Sequence, residues 1–239
     1  MTLIVATISQ EGIAIAADSK CSIEKEVTDP ITGEKHIEVS GFVTTSNKLL
    51  LSDNNVEIAV QGMAMINGVK AELYIQDFMK AHIGLDATQM ATELAQMLRQ
   101  EGVTSEMRLY VAGYVTKQGT PTPCLYLIDS APQWSISEHN NYAAYWIGET
   151  DVMDRLFERN LVKLDNNKKA VALPVFLYPF PAYSLQNAID FSVLGVEMTY
   201  RVMRFQDRAQ TVGPPIDVLA ITKDCAKWVL KKDVNLTKK

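Results

Sequence analysis

The chain has 239 residues, 23 of them basic and 28 acidic, and 47% are hydrophobic. The net charge of −5 and the absence of a concentrated basic run argue against a dedicated nucleic-acid binder. No apolar stretch reaches the roughly 20 residues that a bilayer crossing needs, so no membrane partner is expected. Cys21, Cys124 and Cys225 are odd in number and widely spaced, which reads as neither a disulfide framework nor a zinc pattern, and His36, His82 and His139 are equally scattered. These spacings argue against a metal site and fit a reducing cytoplasm.

In chain order, Leu3–Ile8 is an apolar, β-branched run, Gln10-Glu11-Gly12 is a turn signal, and Ile13–Ala17 is a second run that stops at Asp18. The pair reads as a hairpin covered on both faces. Residues 24–44 are more hydrophilic, with turn signals at Asp29-Pro30 and Thr32-Gly33, and predict a protruding hairpin. Lys48–Leu51 and Val56–Val60 read as another strand pair, closed by Gly62. The spacing of Val69, Leu73, Ile75 and Phe78 predicts a helix over 67–81, and Asp86 is a plausible cap for a second over 86–102. Strands return at 107–114, 124–129 and 143–147. Helices are predicted over 151–159 and 184–205, then a last strand over 216–222. Grouped strands alternating with grouped helices favour α+β over a doubly wound parallel sheet, in one domain over 1–239.

Thr2 opens the chemistry. A threonine hydroxyl is a weak nucleophile until a base takes its proton. If Met1 is trimmed, the Thr2 α-amine, with a reference pKa of about 7.7–8.0, is itself such a base. The opening Thr2-Leu3-Ile4-Val5, Gly12 and Ile13-Ala14-Ile15-Ala16-Ala17-Asp18-Ser19-Lys20 resembles that of a proteasome β-subunit. Asn47-Lys48-Leu49 and Ala59-Val60-Gln61-Gly62 are similar to that family's segments bearing the catalytic lysine and the oxyanion-hole glycine. The separations from Thr2 to Asp18 and from Lys48 to Gly62 match as well. Ala112-Gly113-Tyr114, Leu125–Asp129, Ile147-Gly148, the helix from Ser184 and the stretch from Gly213 to Lys223 extend the likeness over essentially the whole chain. The pattern is closest to the simpler bacterial single-subunit homologues, Anbu-like or related.

The resemblance implies a four-layer αββα sandwich of the N-terminal-nucleophile hydrolase type and a threonine-type endopeptidase. In it Thr2, Asp18, Lys48 and Gly62 are catalytic, and Cys21, Val60 and Ala64 bind substrate. It further implies no cofactor, a peptide or unfolded-protein substrate, and a homo-oligomeric ring or spiral, with an ATPase partner left open. The departures are the extra residues at 24–44, Glu149-Thr150 where the family has a catalytic-site serine, and Asp207 and Thr211, which match an aspartate–serine pair out of step. Other readings of the residues stay open. Asp18 reads equally as a turn residue, Lys48 as an exposed lysine, Gly62 as a strand end, and Glu149 and Asp207 as solvated or salt-bridged groups. Cys21 reads as pocket-lining or as buried packing. Met63, Met65, Met90 and Met97 read as core fillers, and Lys231-Lys232 as a solvated tail. The functional alternatives are a catalytically inactive assembly subunit and a small-molecule amidase.

Overall fold

The structure, a computed structural model, describes residues 2–104, 106–157, 162–164, 166, 170–172 and 176–233. The first two runs form β1 (Leu3–Ile8) and β2 (Ile13–Asp18), every residue of them buried. A hairpin follows, β3 (Cys21–Thr28) with β4 (Lys35–Val43), and then β5 (Leu49–Leu51) and β6 (Glu57–Gly62). The short hairpin β7 (Met65–Ile66) and β8 (Val69–Lys70) leads directly into α1 (Ala71–Ala81). Helix α2 (Ala87–Gln100) begins at a capping box. The Gln89 N–H donates to Asp86 Oδ1 at 2.9 Å and the Asp86 N–H donates to Gln89 Oε1 at 3.1 Å.

Next come β9 (Met107–Lys117), β10 (Thr120–Asp129), β11 (Ser135–His139), β12 (Ala144–Gly148) and α3 (Asp151–Phe157). The pair β13 (Val162–Leu164) and β14 (Ala170–Ala172) precedes α4 (Leu185–Met203), which is capped by Ser184 and Asn187 in the same reciprocal manner as α2. The chain closes with β15 (Ile216–Ile221) and β16 (Ala226–Leu230).

Two five-stranded antiparallel sheets dominate, in the orders β12-β1-β2-β15-β16 and β11-β10-β9-β6-β5. Strand alternation sends side chains to both faces of each sheet. Ile4, Ala6, Ile13 and Ile15 of the first sheet share one apolar cluster with Leu49, Ala59, Tyr110 and Leu125 of the second. Leu3, Val5, Ala14 and Ala16 point the other way, into a cluster with Met153 of α3 and Ala188, Phe191 and Val196 of α4. Ile58, Val60, Leu109 and Val111 pack against Ile75 and Phe78 of α1 and Met90, Leu94 and Leu98 of α2. The chain is thus a mixed α and β structure of antiparallel sheets flanked by helices. Among the described residues no helix is long and apolar enough to cross a membrane.

The helix expected from 67 starts at Ala71, because Asn67 and Gly68 take φ of 48° and 80° and close the β7–β8 hairpin. Both central residues at positive φ make the Asn-Gly turn that matches strand twist, and that local signal outweighs the helical spacing. Met90 is buried as expected, whereas Met63 and Met65 are half exposed. The 151–159 helix runs to Phe157, and its last two predicted residues lie outside the described ones.

One core residue breaks the polarity rule. Glu57, the first residue of β6, is fully buried, and neither carboxyl oxygen meets a donor among the described residues. Burial holds its carboxyl well above the usual range. The folded chain therefore keeps a proton that the unfolded chain releases above a pH of about 4.3. Stability falls as pH rises from there toward the folded-state pKa, by up to about 1.4 kcal/mol per pH unit. Glu57→Leu is accordingly expected to be more stable than wild type by about 1–3 kcal/mol near neutral pH and above. The advantage should shrink under acid conditions, as read by urea unfolding across pH. A difference that does not change with pH contradicts this.

Candidate active site

Thr2 stands just ahead of β1, where that strand passes β12, and Leu3 lies opposite Gly148. The contact is close enough to fix its neighbour's identity. A Cβ on Gly148 would sit 1.8 Å from the Thr2 carbonyl oxygen, and Gly148 also takes a φ of +103°. That same carbonyl accepts the Glu149 N–H at 2.8 Å. Gly148→Ala must therefore push Thr2 out of place, besides carrying backbone strain of about 1–3 kcal/mol. The expected result is a lower urea midpoint together with loss of any Thr2-dependent activity. Unchanged values for both would show that Thr2 is not held this way.

Asp18 closes β2 and is buried, with all its partners internal. Its Oδ1 accepts the Leu3 N–H at 3.0 Å and Lys48 Nζ at 2.6 Å. Its Oδ2 accepts the Lys20 N–H at 3.1 Å and the Gly213 N–H at 3.2 Å. One carboxylate thus joins the residue after Thr2 to the lysine ahead of β5. Lys48 is itself 5% exposed, and its Nζ also donates to the Lys20 carbonyl at 2.6 Å. Burial pulls its ammonium below the ordinary lysine range; Asp18 and Cys21 oppose that shift and Lys232 adds to it. The reading of Lys48 as an exposed strand-end lysine is therefore set aside. Asp18 works as more than a turn cap, since it carries an ion pair as well as three backbone donors.

Thr2, Lys48 and Gly62 line a single cavity of about 400 Å³. Gly62 ends β6 with φ of +113°, and a Cβ there would stand 2.4 Å from the Glu106 carbonyl oxygen, so strand end and cavity wall are the same residue. Cys21, Val60 and Ala64 line that cavity too, and Ile23 and Val43 extend it along the β3–β4 hairpin. The structure brings all seven candidate residues to one place, six on the wall and Asp18 behind it. Met63 and Met65, read as core fillers, belong to the wall instead. The Lys20 ammonium lies 3.7 Å from the centre of the Phe42 ring and ties the hairpin to the rim.

The outer positions differ. The Glu149 carboxylate pairs with Arg208 Nη1 at 3.3 Å, and Arg208 also clamps Asp151 at 2.9 Å, which gives Glu149 a structural partner. Asp207 is exposed. Thr211 is buried, and its Oγ1 has no hydrogen-bond partner among the described residues. Lys232, expected in a solvated tail, is instead buried in an ion pair with Asp217. Nothing in the local sequence marks it, since the burial comes from β16 folding back along β15. Among the described residues no three His, Cys, Asp or Glu side chains gather as a metal site.

No family model matches the chain, and no curated protein matches it. The fold, however, has solved counterparts. It is shared with Anbu, the ancestral β-subunit, from Yersinia bercovieri, at a TM-score of 0.56 and 15% identity over 95% of this chain and 87% of that one. An Anbu mutant from Hyphomicrobium sp. strain MC1 gives a TM-score of 0.58 and 15% identity over 100% of this chain and 89% of that one.

Proposed function

We propose that the chain is a threonine-type amide hydrolase acting on peptides, with Thr2 as nucleophile after removal of Met1. The observation that carries this reading is one carboxylate, Asp18, bound at once to the Leu3 N–H and to Lys48 Nζ beside a cavity lined by Thr2. Once Met1 is gone, the Thr2 α-amine takes the proton from Oγ1 as that oxygen adds to the scissile carbonyl. Lys48 places positive charge beside the amine and favours its neutral, basic form. The Gly62 N–H receives the oxyanion, a contribution of about 2.7–4 kcal/mol for one such donor in other hydrolases. Collapse breaks the C–N bond, the leaving amine takes the proton, and an ester to Thr2 remains. Water then adds with the α-amine as base, the ester breaks, and the proton returns to Oγ1. Cys21, Ile23, Val43, Val60 and Ala64 favour an apolar substrate side chain in the cavity.

The three apolar clusters support reading the layers as an αββα sandwich in one domain, and the scattered cysteines support a place in the cytoplasm. Half-exposed Ile23, Phe42 and Val43 on the hairpin support a homo-oligomer in which that hairpin is covered. Light scattering at micromolar concentration is expected to give a mass several times 26.6 kDa; a monomer mass contradicts the assembly. The activity itself is tested with fluorogenic peptide amides. Those with leucine or phenylalanine before the cleaved bond should turn over faster than those with aspartate or lysine. No hydrolysis by protein shown to begin at Thr2 would overturn the reading and favour an inactive assembly subunit.

A further inference from the structure

We infer that Lys232, two residues past β16, is a positioning residue of this site. With Asp217 and Ser19 it holds the turn on which Lys48 is anchored and sets a second positive charge behind that lysine. The inference rests on the proposed hydrolysis for its kinetic readout but not for its spectroscopic one.

The residues from Asp18 to Lys20 form a short link between β2 and β3 that two lysines grip. Lys48 Nζ holds its two ends, Asp18 Oδ1 and the Lys20 carbonyl, each at 2.6 Å. Lys232 holds its middle, with Nζ donating to Ser19 Oγ at 3.0 Å. Lys232 Nζ also pairs with Asp217 Oδ2, and the Lys232 N–H donates to Asp217 Oδ1 at 2.8 Å. Ser19 is fully buried, its N–H donates to the Pro215 carbonyl at 3.0 Å, and its carbonyl accepts the Ser46 N–H at 3.3 Å. The Lys232 and Asp217 side chains are each 4% exposed.

Burying a second ion pair is costly, and an apolar pair of similar volume usually serves stability as well or better. The pair at 217 and 232 is therefore better explained by what its charge and hydrogen bonds do to their neighbours. An ammonium group set behind Lys48 in this dry corner disfavours the Lys48 proton. The groups facing Lys48 are Asp18 from β2, Lys20 and Cys21 at the start of β3, Lys232 past β16, and Thr2 ahead of β1. Lys232 lowers Lys48's affinity for its proton through charge. Without Lys232, Lys48 would hold its proton more tightly, and the α-amine of Thr2 would lose part of the positive field that keeps it basic and neutral.

The test uses the full chain with carbon-13 at the lysine ε position, the Lys48 signal being assigned by its absence in Lys48→Arg. Lys232→Met should raise the Lys48 titration midpoint. The low-pH limb of kcat/KM should move upward with it, while Lys232→Arg keeps both close to wild type. Because Lys232→Met strands a buried Asp217 charge, the neutral double variant Asp217→Asn/Lys232→Met decides the matter if the single one fails to fold. An unchanged Lys48 midpoint in the folded variant overturns the inference, even where activity falls. If wild type hydrolyses nothing, the proposed function fails, and the Lys48 midpoint still decides the role of Lys232.

Discussion

Thr2→Ala is expected to lower kcat/KM for peptide hydrolysis on the order of 10⁴-fold or more, since the covalent step has no other hydroxyl to use. Folding should survive. Thr2 precedes the first strand, its backbone carbonyl rather than its side chain meets the Glu149 N–H, and the Leu3 N–H rather than Thr2 carries the bond to Asp18. The variant should therefore unfold at nearly the wild-type urea concentration. Thr2→Ser keeps a hydroxyl on the same backbone and should retain part of the rate. The measurement is steady-state hydrolysis of a peptide amide by three proteins verified to lack Met1. Wild-type turnover by the alanine variant would remove Thr2 from the mechanism.

Lys48→Ala is expected to cost about 10²–10⁴-fold in kcat/KM, the range for losing a group that tunes proton transfer. Its low-pH limb should move upward, because the Thr2 amine loses an adjacent cation and holds its proton more tightly. The variant also leaves Asp18 without its counter-charge, and breaking a buried pair in this way costs about 3–5 kcal/mol. Three N–H groups still bind that carboxylate, from Leu3, Lys20 and Gly213, so the loss should fall at the low end of that range. Asp18→Asn should cost less in rate than Lys48→Ala, since it removes the lysine's orientation and leaves its charge. Rates for both variants across pH, on protein shown to be folded by circular dichroism, check the order. Equal rates for wild type and Lys48→Ala contradict the role assigned to the lysine.

The strands that build the site were legible because their signal is local and doubled. Leu3–Ile8 and Ile13–Asp18 are apolar at nearly every position, which fits strands covered on both faces, and both are fully buried. Helix α2 is announced by a cap at Asp86 ahead of helical spacing, and α4 by its apolar spacing alone. The Asn67-Gly68 turn is equally local, but the helical spacing that includes Val69 runs over it. The edge strands β11 and β16 were missed for another reason. Their residues are mostly half-buried or exposed, so they lack the apolar runs by which the central strands are recognised.

The parts of the site that stayed hidden depend on tertiary contact. That Gly148 touches the Thr2 carbonyl cannot be read from either segment, because 145 residues of chain lie between them and only strand pairing joins them. Lys232 next to Asp217 follows from β16 folding back along β15, whereas in sequence it is one of several lysines near the end of the chain. Met63 and Met65 were assigned to the core on residue type alone, although their place just past Gly62 puts them on the cavity wall.

In the proposed mechanism Thr2, freed of Met1, forms the covalent intermediate. The most direct measurement is peptide mapping by mass spectrometry of the cell-purified chain after brief exposure to an activated ester of a short apolar peptide. The expected result is an N-terminal fragment that begins at Thr2 and carries the acyl group. An N-terminal fragment that retains Met1 and carries no acyl group contradicts it.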